Sequence, residues 1–289
     1  MTKSKPLLSH EAFVELHTAL EAKILRLTNT PTGRYKLCEK GIDNLMPESA
    51  MSLKATNTAS RIEYAVNTHK FLDDHFREHP GTQMSFVTLA PRSCCAPIDG
   101  NHAAAIEELQ ILLYEYFGGF NFYGFIEPGL YANFASDPRQ KKTLAWHAHI
   151  LVWDECPAAS KDIAEIIADF TRRYEALVPG KVAGHVRSVG RESALSRVWY
   201  MSKAPLKDYH VYRVIGTGLY KTRKRQLRPG EAVRLHNIMV DMTIPELCVS
   251  NFQGDKIANM AEQRSIENLE QCNQVRLAKI FQKKARAWQ

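Results

Sequence analysis

Long apolar runs are missing from this chain. No segment approaches the ~18 consecutive apolar residues of a membrane span, and the opening MTKSKPLLSHEAF is broken by His10 and Glu11 before a signal-peptide core could form. The expectation is a cytoplasmic protein with no membrane partner. Cysteine is sparse and unpatterned: Cys38, Cys94, Cys95, Cys156, Cys248 and Cys272 show no C-x-x-C spacing. That argues against a zinc ribbon or a disulfide framework and reads as reduced thiols without a chemical role. No G-x-x-x-x-G-K-[ST] run is present, so the chain carries no P-loop. Internal repeats and low-complexity tracts are also absent.

What is present is a basic excess, +7 over 289 residues, with hydrophobic residues at 45%. That length and content supply one large core, or a core with helical additions. A basic balance points first to polyanions such as nucleic acid, with a merely basic enzyme as the plain alternative. Residues 8–30 and 57–79 carry helix-spaced apolar positions, among them Phe13, Leu16, Leu20, Ile24 and Leu27. The turn-rich NTPTGRYKLCEKGIDNLMPES between them forms no single regular element. From Met84 the pattern alternates. Strands are expected at 84–90, 120–127 (ending at Pro128), 144–153 and 183–189. Helices are expected at 102–117, 160–177 (capped by Ser160), 192–203 and 255–287. This predicts an α+β fold: a central antiparallel sheet with helices packed on one side. The divisions are a helical N-terminal addition at 1–80, a core at 81–215, and a basic segment with a C-terminal helix at 216–289.

In a strand, residues two apart share a face. Within TLAWHAHILVWDE, Trp146, Ala148, Ile150 and Val152 make an apolar face, and His147 and His149 project together from the other. Two imidazoles so placed can converge on one cation. In FNFYGFIE the same arithmetic separates Phe120, Phe122 and Ile126 from Asn121, Tyr123 and Glu127. If the two strands are neighbours, Glu127 can face that cation. An H-x-H pair by itself is a weak signal, since a strand histidine is more often structural. In SRVWYMSKAP, Tyr200 precedes Lys203 by three, a same-face helical spacing. A phenol is a poor nucleophile until its anion is stabilised, and a neighbouring ammonium can do that or hold a phosphate.

The ordered set FVTLAP (86–91), FIEP (125–128), WHAHILVW (146–153) and YMSK (200–203) resembles the HUH endonucleases, specifically the rolling-circle replication initiators of plasmids and phages. It covers about residues 84–205. The IEP before the histidine pair is similar to phage gene A and related proteins. The resemblance implies that His147, His149 and Glu127 bind one divalent ion, Mg²⁺ or Mn²⁺. It further implies that Tyr200 attacks a phosphate of single-stranded origin DNA, giving a 5′-phosphotyrosine and a 3′-hydroxyl primer, with Lys203 assisting. Host helicase and polymerase would be partners, strand separation having to come from elsewhere. Ser196 stands where phage-type members have a second tyrosine and some plasmid initiators a water-activating glutamate; Glu192, two turns before Tyr200, is a weak substitute. Ala90 stands where threonine or serine is frequent. Relaxases commonly carry the tyrosine before the histidine pair, so the order here favours replication over mobilisation or transposition.

Other residues receive plainer readings. Tyr209 and Tyr212 lack a lysine three residues on, His185 is read as structural, and Asp154 and Glu155 as exposed loop acids. Lys221, Arg223, Lys224, Arg225 and Arg228 in YKTRKRQLRPG become phosphate contacts if the substrate is DNA. The alternative of another class is a non-catalytic basic DNA-binding protein whose histidines are structural.

Overall fold

The computed structural model describes residues 8–28, 36–132, 142–154 and 162–287. In chain order these form α1 (His10–Thr28), α2 (Glu39–Asp43), a 3-10 turn (Pro47–Ser52), α3 (Thr58–Glu78), β1 (Gln83–Leu89), β2 (Cys95–Pro97), α4 (His102–Phe117) and β3 (Asn121–Ala132). Then come β4 (Lys142–Asp154), α5 (Ile163–Arg173), β5 (Gly184–Val189), α6 (Arg191–Met201), β6 (Lys207–Arg213), β7 (Tyr220–Gln226), α7 (Pro229–Ile238), α8 (Ile244–Leu247), β8 (Cys248–Asn251) and α9 (Gln253–Ala287). No helix among the described residues is long and apolar enough to cross a membrane.

Local chemistry sets several boundaries. The Asn57 side chain accepts the Ser60 N–H and Asn101 accepts that of Ala104, capping α3 and α4. Asp162 caps α5; Ser160, the expected cap, lies outside the described residues, as do Glu155 and Cys156. Helix α5 ends at Arg173 rather than 177, because Glu175 bridges in extended form to Val182. Strand β3 runs past Pro128 to Ala132. There, β8 pairs only with Phe122–Phe125 and β6 only with Leu130–Ala132. Pro128 falls between them, where β3 has a partner only in β4, so a residue without an N–H is accommodated.

The sheet order is β5-β1-β4-β3-β6-β7, with β2 on β4 and β8 on β3. Every pairing is antiparallel except β3 with β6. The α+β expectation therefore holds, with one parallel pair in the sheet.

Helices cover both sheet faces, which corrects the one-sided expectation. On the Trp146 face, the His102 ring of α4 lies 5.9 Å from Trp146 and Tyr114 lies 5.7 Å from Phe122. Phe170 of α5 packs beside Gly184. On the histidine face, Phe76 of α3 meets Trp153 edge-on at 5.5 Å and Tyr64 meets Phe125 at 6.1 Å. The Thr68 hydroxyl shares a 2.8 Å hydrogen bond with Tyr123. The reason is in the strands, since Tyr123, Phe125, Leu151 and Trp153 make the histidine face apolar too. Residues of α3 and α9 join the sheet's own hydrophobic cluster.

Gly124 marks a close approach of β3 to β4. A Cβ there would overlap the His149 carbonyl oxygen and lie 2.6 Å from Ile150 Cα. Gly124→Ala is expected to destabilise the fold by on the order of 3 kcal/mol, because the obstruction is backbone in a packed core. Urea unfolding of the variant reads this directly.

Candidate metal and tyrosine site

Register brings the site together. Glu127 of β3 stands directly across from His147 of β4, and His149 stands across from Thr88 of β1. The period of two then aims all four side chains at the face that α6 covers. His147 Nε2 lies 3.1 Å and His149 Nε2 3.2 Å from Glu127 Oε1. A ligand atom from each of the three residues lies within 4.8 Å of the others, so the group could hold a metal ion. Glu127 is 7% and His149 5% exposed. Thr88 Oγ1 shares a 2.9 Å hydrogen bond with His149 Nδ1, and His147 Nδ1 donates to the Ala145 carbonyl at 3.2 Å.

Those outer bonds decide what the inner atoms offer. With Nδ1–H of His147 given to a carbonyl, Nε2 is the ring nitrogen turned toward the Glu127 carboxylate, an arrangement in which a cation can sit between them. His149 Nε2 is buried without a hydrogen-bond partner, its approach to Glu127 being out of hydrogen-bond alignment. Burial holds the His149 imidazole down to about 4, so the ring is neutral at pH 7. Burial alone would raise the Glu127 carboxyl, but the Lys203 ammonium and the two imidazoles hold it well below the usual range. Two imidazoles, an anionic carboxylate and an orphaned buried nitrogen fit a divalent cation.

Tyr200 of α6 packs on this group. Its ring meets His149 edge-on at 4.9 Å between centroids and Phe86 of β1 at 6.2 Å. Burial, followed by the nearby Glu127 charge, pushes the phenol up to about 12, so it is protonated at pH 7. Helix α6 ends at Met201, which places Lys203 beyond the helix instead of on it. The expected pairing survives, because Lys203 Nζ lies 4.0 Å from the Tyr200 ring centre. The same ammonium donates to both Glu127 oxygens, at 2.5 and 2.7 Å.

The basic run does not act as one surface. It forms β7, paired with β6 at the sheet edge, and strand alternation divides it. Lys224 sits opposite Tyr209, which is itself opposite Tyr131, on the face that carries Glu127. Lys221, Arg223 and Arg225 point the other way. The Arg225 guanidinium is taken by a two-point ion pair with the fully buried Asp208, so it is structural. Arg228 precedes α7, its backbone N–H donating to Glu231 at 2.9 Å. Tyr131 and Tyr209 stack at 4.8 Å, with Lys224 Nζ 5.1 Å over Tyr209. Exposed Tyr212 lies in β6 opposite Lys221, on the face away from Glu127. His185 of β5 is opposite Thr88, on the histidine face. Asp154 closes β4 opposite Gln83 and is not a loop acid. Ser196 donates to the Glu192 carbonyl one turn back.

The sequence reading missed Thr88 and Phe86, although the alternation of FVTLAP puts both on one face. It also missed the ties between the N-terminal helices and Lys203. Arg61 of α3 donates to the Ser202 carbonyl at 2.8 Å, and His17 Nε2 of α1 accepts the Ala204 N–H at 2.9 Å. His17 Nδ1 donates to Phe13 O at 2.7 Å, so the folded ring must be neutral. Burial, then the Arg61 charge, lowers His17 to about 4. Unfolded His17 would titrate near its ordinary value of about 6.5. Its contribution is therefore complete above that pH and is lost as pH falls toward 4, on the order of 3 kcal/mol. Urea unfolding of wild type and His17→Gln should differ less at pH 4 than at pH 7.

Comparison of the chain with protein-family models, with curated proteins and with solved structures finds no match in any of the three.

Proposed function

We propose that the chain is a metal-dependent, single-strand DNA endonuclease and strand transferase of the HUH type, with an HUH-like core and Tyr200 as nucleophile. Its role would be a cytoplasmic initiator of plasmid or phage rolling-circle replication. The observation that carries the reading is a buried imidazole nitrogen without a partner, in a Glu-His-His group, against which a tyrosine ring packs at 4.9 Å. Mobilisation or transposition would use the same chemistry. The single tyrosine following the histidine pair favours replication.

A divalent ion, Mg²⁺ or Mn²⁺, held by Glu127, His147 and His149 would supply Lewis acidity at the scissile phosphate. The remaining work falls to the chain. Tyr200 Oη forms a bond to phosphorus as the P–O3′ bond breaks, and the phenolic proton passes through solvent to the departing 3′-oxygen. The products are a 5′-phosphotyrosine and a 3′-hydroxyl able to prime synthesis. One phosphoester replaces another, so rejoining needs no nucleotide cofactor. Lys203 balances the Glu127 charge and lies over the Tyr200 ring, so its charge becomes available to the phenolate once another cation serves the carboxylate. Lys224, beside the Tyr131–Tyr209 stack, would contact the strand, with Lys221, Arg223 and Arg228 as more distant phosphate contacts. Host helicase and polymerase would complete replication.

The test is incubation with Mn²⁺ and single strands tiled across the coding gene and its flanks. A denaturation-resistant protein–DNA adduct with a free 3′-hydroxyl is expected, and EDTA should abolish both. Binding of every strand without any adduct would return the chain to a non-catalytic basic DNA-binding protein.

A further inference from the structure

The cations around Tyr200 are unequally committed. Lys203 is bound by both Glu127 oxygens, Arg191 is paired with Asp73, and Arg61 is buried against the Ala55 and Ser202 carbonyls. Two guanidiniums remain among the described residues. Arg197 lies three residues before Tyr200 on α6, with Cζ 4.6 Å over the Phe86 ring, and its Nε is buried without a hydrogen-bond partner. Arg187 of β5 stands directly across from Phe86 in the ladder and is exposed. Neither forms an ion pair with a carboxylate among the described residues.

We infer that Arg187 and Arg197 form a two-guanidinium clamp, organised by Phe86, that holds a phosphodiester oxyanion of single-stranded DNA next to Tyr200. The inference rests on the nuclease reading and deepens it by assigning the substrate's anionic contact. Two like charges held together without a counter-ion are costly, and a bound anion relieves that cost. Burial and then the Arg187 charge already weaken the hold of Arg197 on its proton. With Cζ over the Phe86 ring and Nε buried, the terminal Nη groups are left to present a fork, the geometry that matches phosphate. Of the two roles open to Lys203, stabilising the phenolate or holding a phosphate, its engagement with Glu127 leaves the second to the arginines.

The experiment separates binding from chemistry. In a Tyr200→Phe background, which cannot form an adduct, binding of fluorescein-labelled single-stranded oligothymidylate is measured by anisotropy over a series of KCl concentrations. Arg187→Gln and Arg197→Gln should each weaken binding by roughly 5- to 30-fold at low salt and reduce the slope of log K against log salt by about 0.7. Arg26→Gln, on α1, should leave the slope unchanged. Unchanged slopes in both variants would overturn the clamp even if the wild type forms adducts. Reduced slopes without any wild-type adduct would keep the anion site and defeat the nuclease reading instead. Because Arg187 is exposed, its variant decides the matter should Arg197→Gln fail to fold. With Tyr200 present, added guanidinium should restore adduct formation to Arg197→Ala and not to Tyr200→Phe, and failure of that rescue in a folded Arg197→Ala protein would also count against the clamp.

Discussion

Tyr200→Phe should lower covalent adduct formation by ~10³-fold or more while leaving DNA affinity unchanged, since removing a nucleophile removes the reaction path and not the binding surface. The swap is nearly isosteric. The ring keeps its edge-on contact with His149, its contact with Phe86 and its position beneath Lys203, and only the hydroxyl is lost. The phenol is held up near 12 by burial and by the Glu127 charge. Wild-type adduct formation should therefore be slow without added divalent ion, which would offset that charge. The measurement is adduct yield on denaturing gels beside binding by anisotropy. An undiminished adduct in Tyr200→Phe would transfer the nucleophile's role elsewhere, with Tyr209 the first residue to examine because it lies in the same electrostatic neighbourhood.

Glu127→Gln should remove metal binding. The carboxylate is the only anionic member of the group; without it, two imidazoles remain beside the Lys203 ammonium, which repels a cation. Mn²⁺ affinity is expected to fall by ~10²-fold or more, read by calorimetry. A thermal-unfolding scan gives an independent readout. Mn²⁺ at about 100 times its Kd should stabilise wild type by ~2.7 kcal/mol and the variant by almost nothing. The variant also leaves a buried ammonium without its counter-ion, so its baseline stability should drop by ~3 kcal/mol. His149→Ala keeps the carboxylate, so its activity should return in part at high Mn²⁺ while that of Glu127→Gln does not. Equal Mn²⁺ stabilisation of wild type and Glu127→Gln would dismiss the metal site.

The three side chains that could hold a metal ion were readable from period-two alternation in two short segments, because a buried strand's facing is a local property of the backbone. Tyr200 and Lys203 were found as a helical pair although Lys203 lies beyond the helix end. Its long side chain reaches back over the ring, so the contact tolerated the error. The strand in the basic run went unread for the opposite reason. YKTRKRQ carries no apolar period, so nothing in it announced a strand that would divide its charges between two faces.

By itself, then, the sequence determined the α+β alternation and the residues on the histidine face of β4, both properties of spacing along one segment. Tertiary structure alone decided that β3 and β4 are neighbours in the register that sets Glu127 against His147. It decided as well that Lys203 is spent on Glu127, that Arg225 belongs to Asp208, and that α1 and α3 fasten the chain around Lys203. Each of these depends on which distant segments meet, and such meetings are set by packing the whole core, where no local pattern records them.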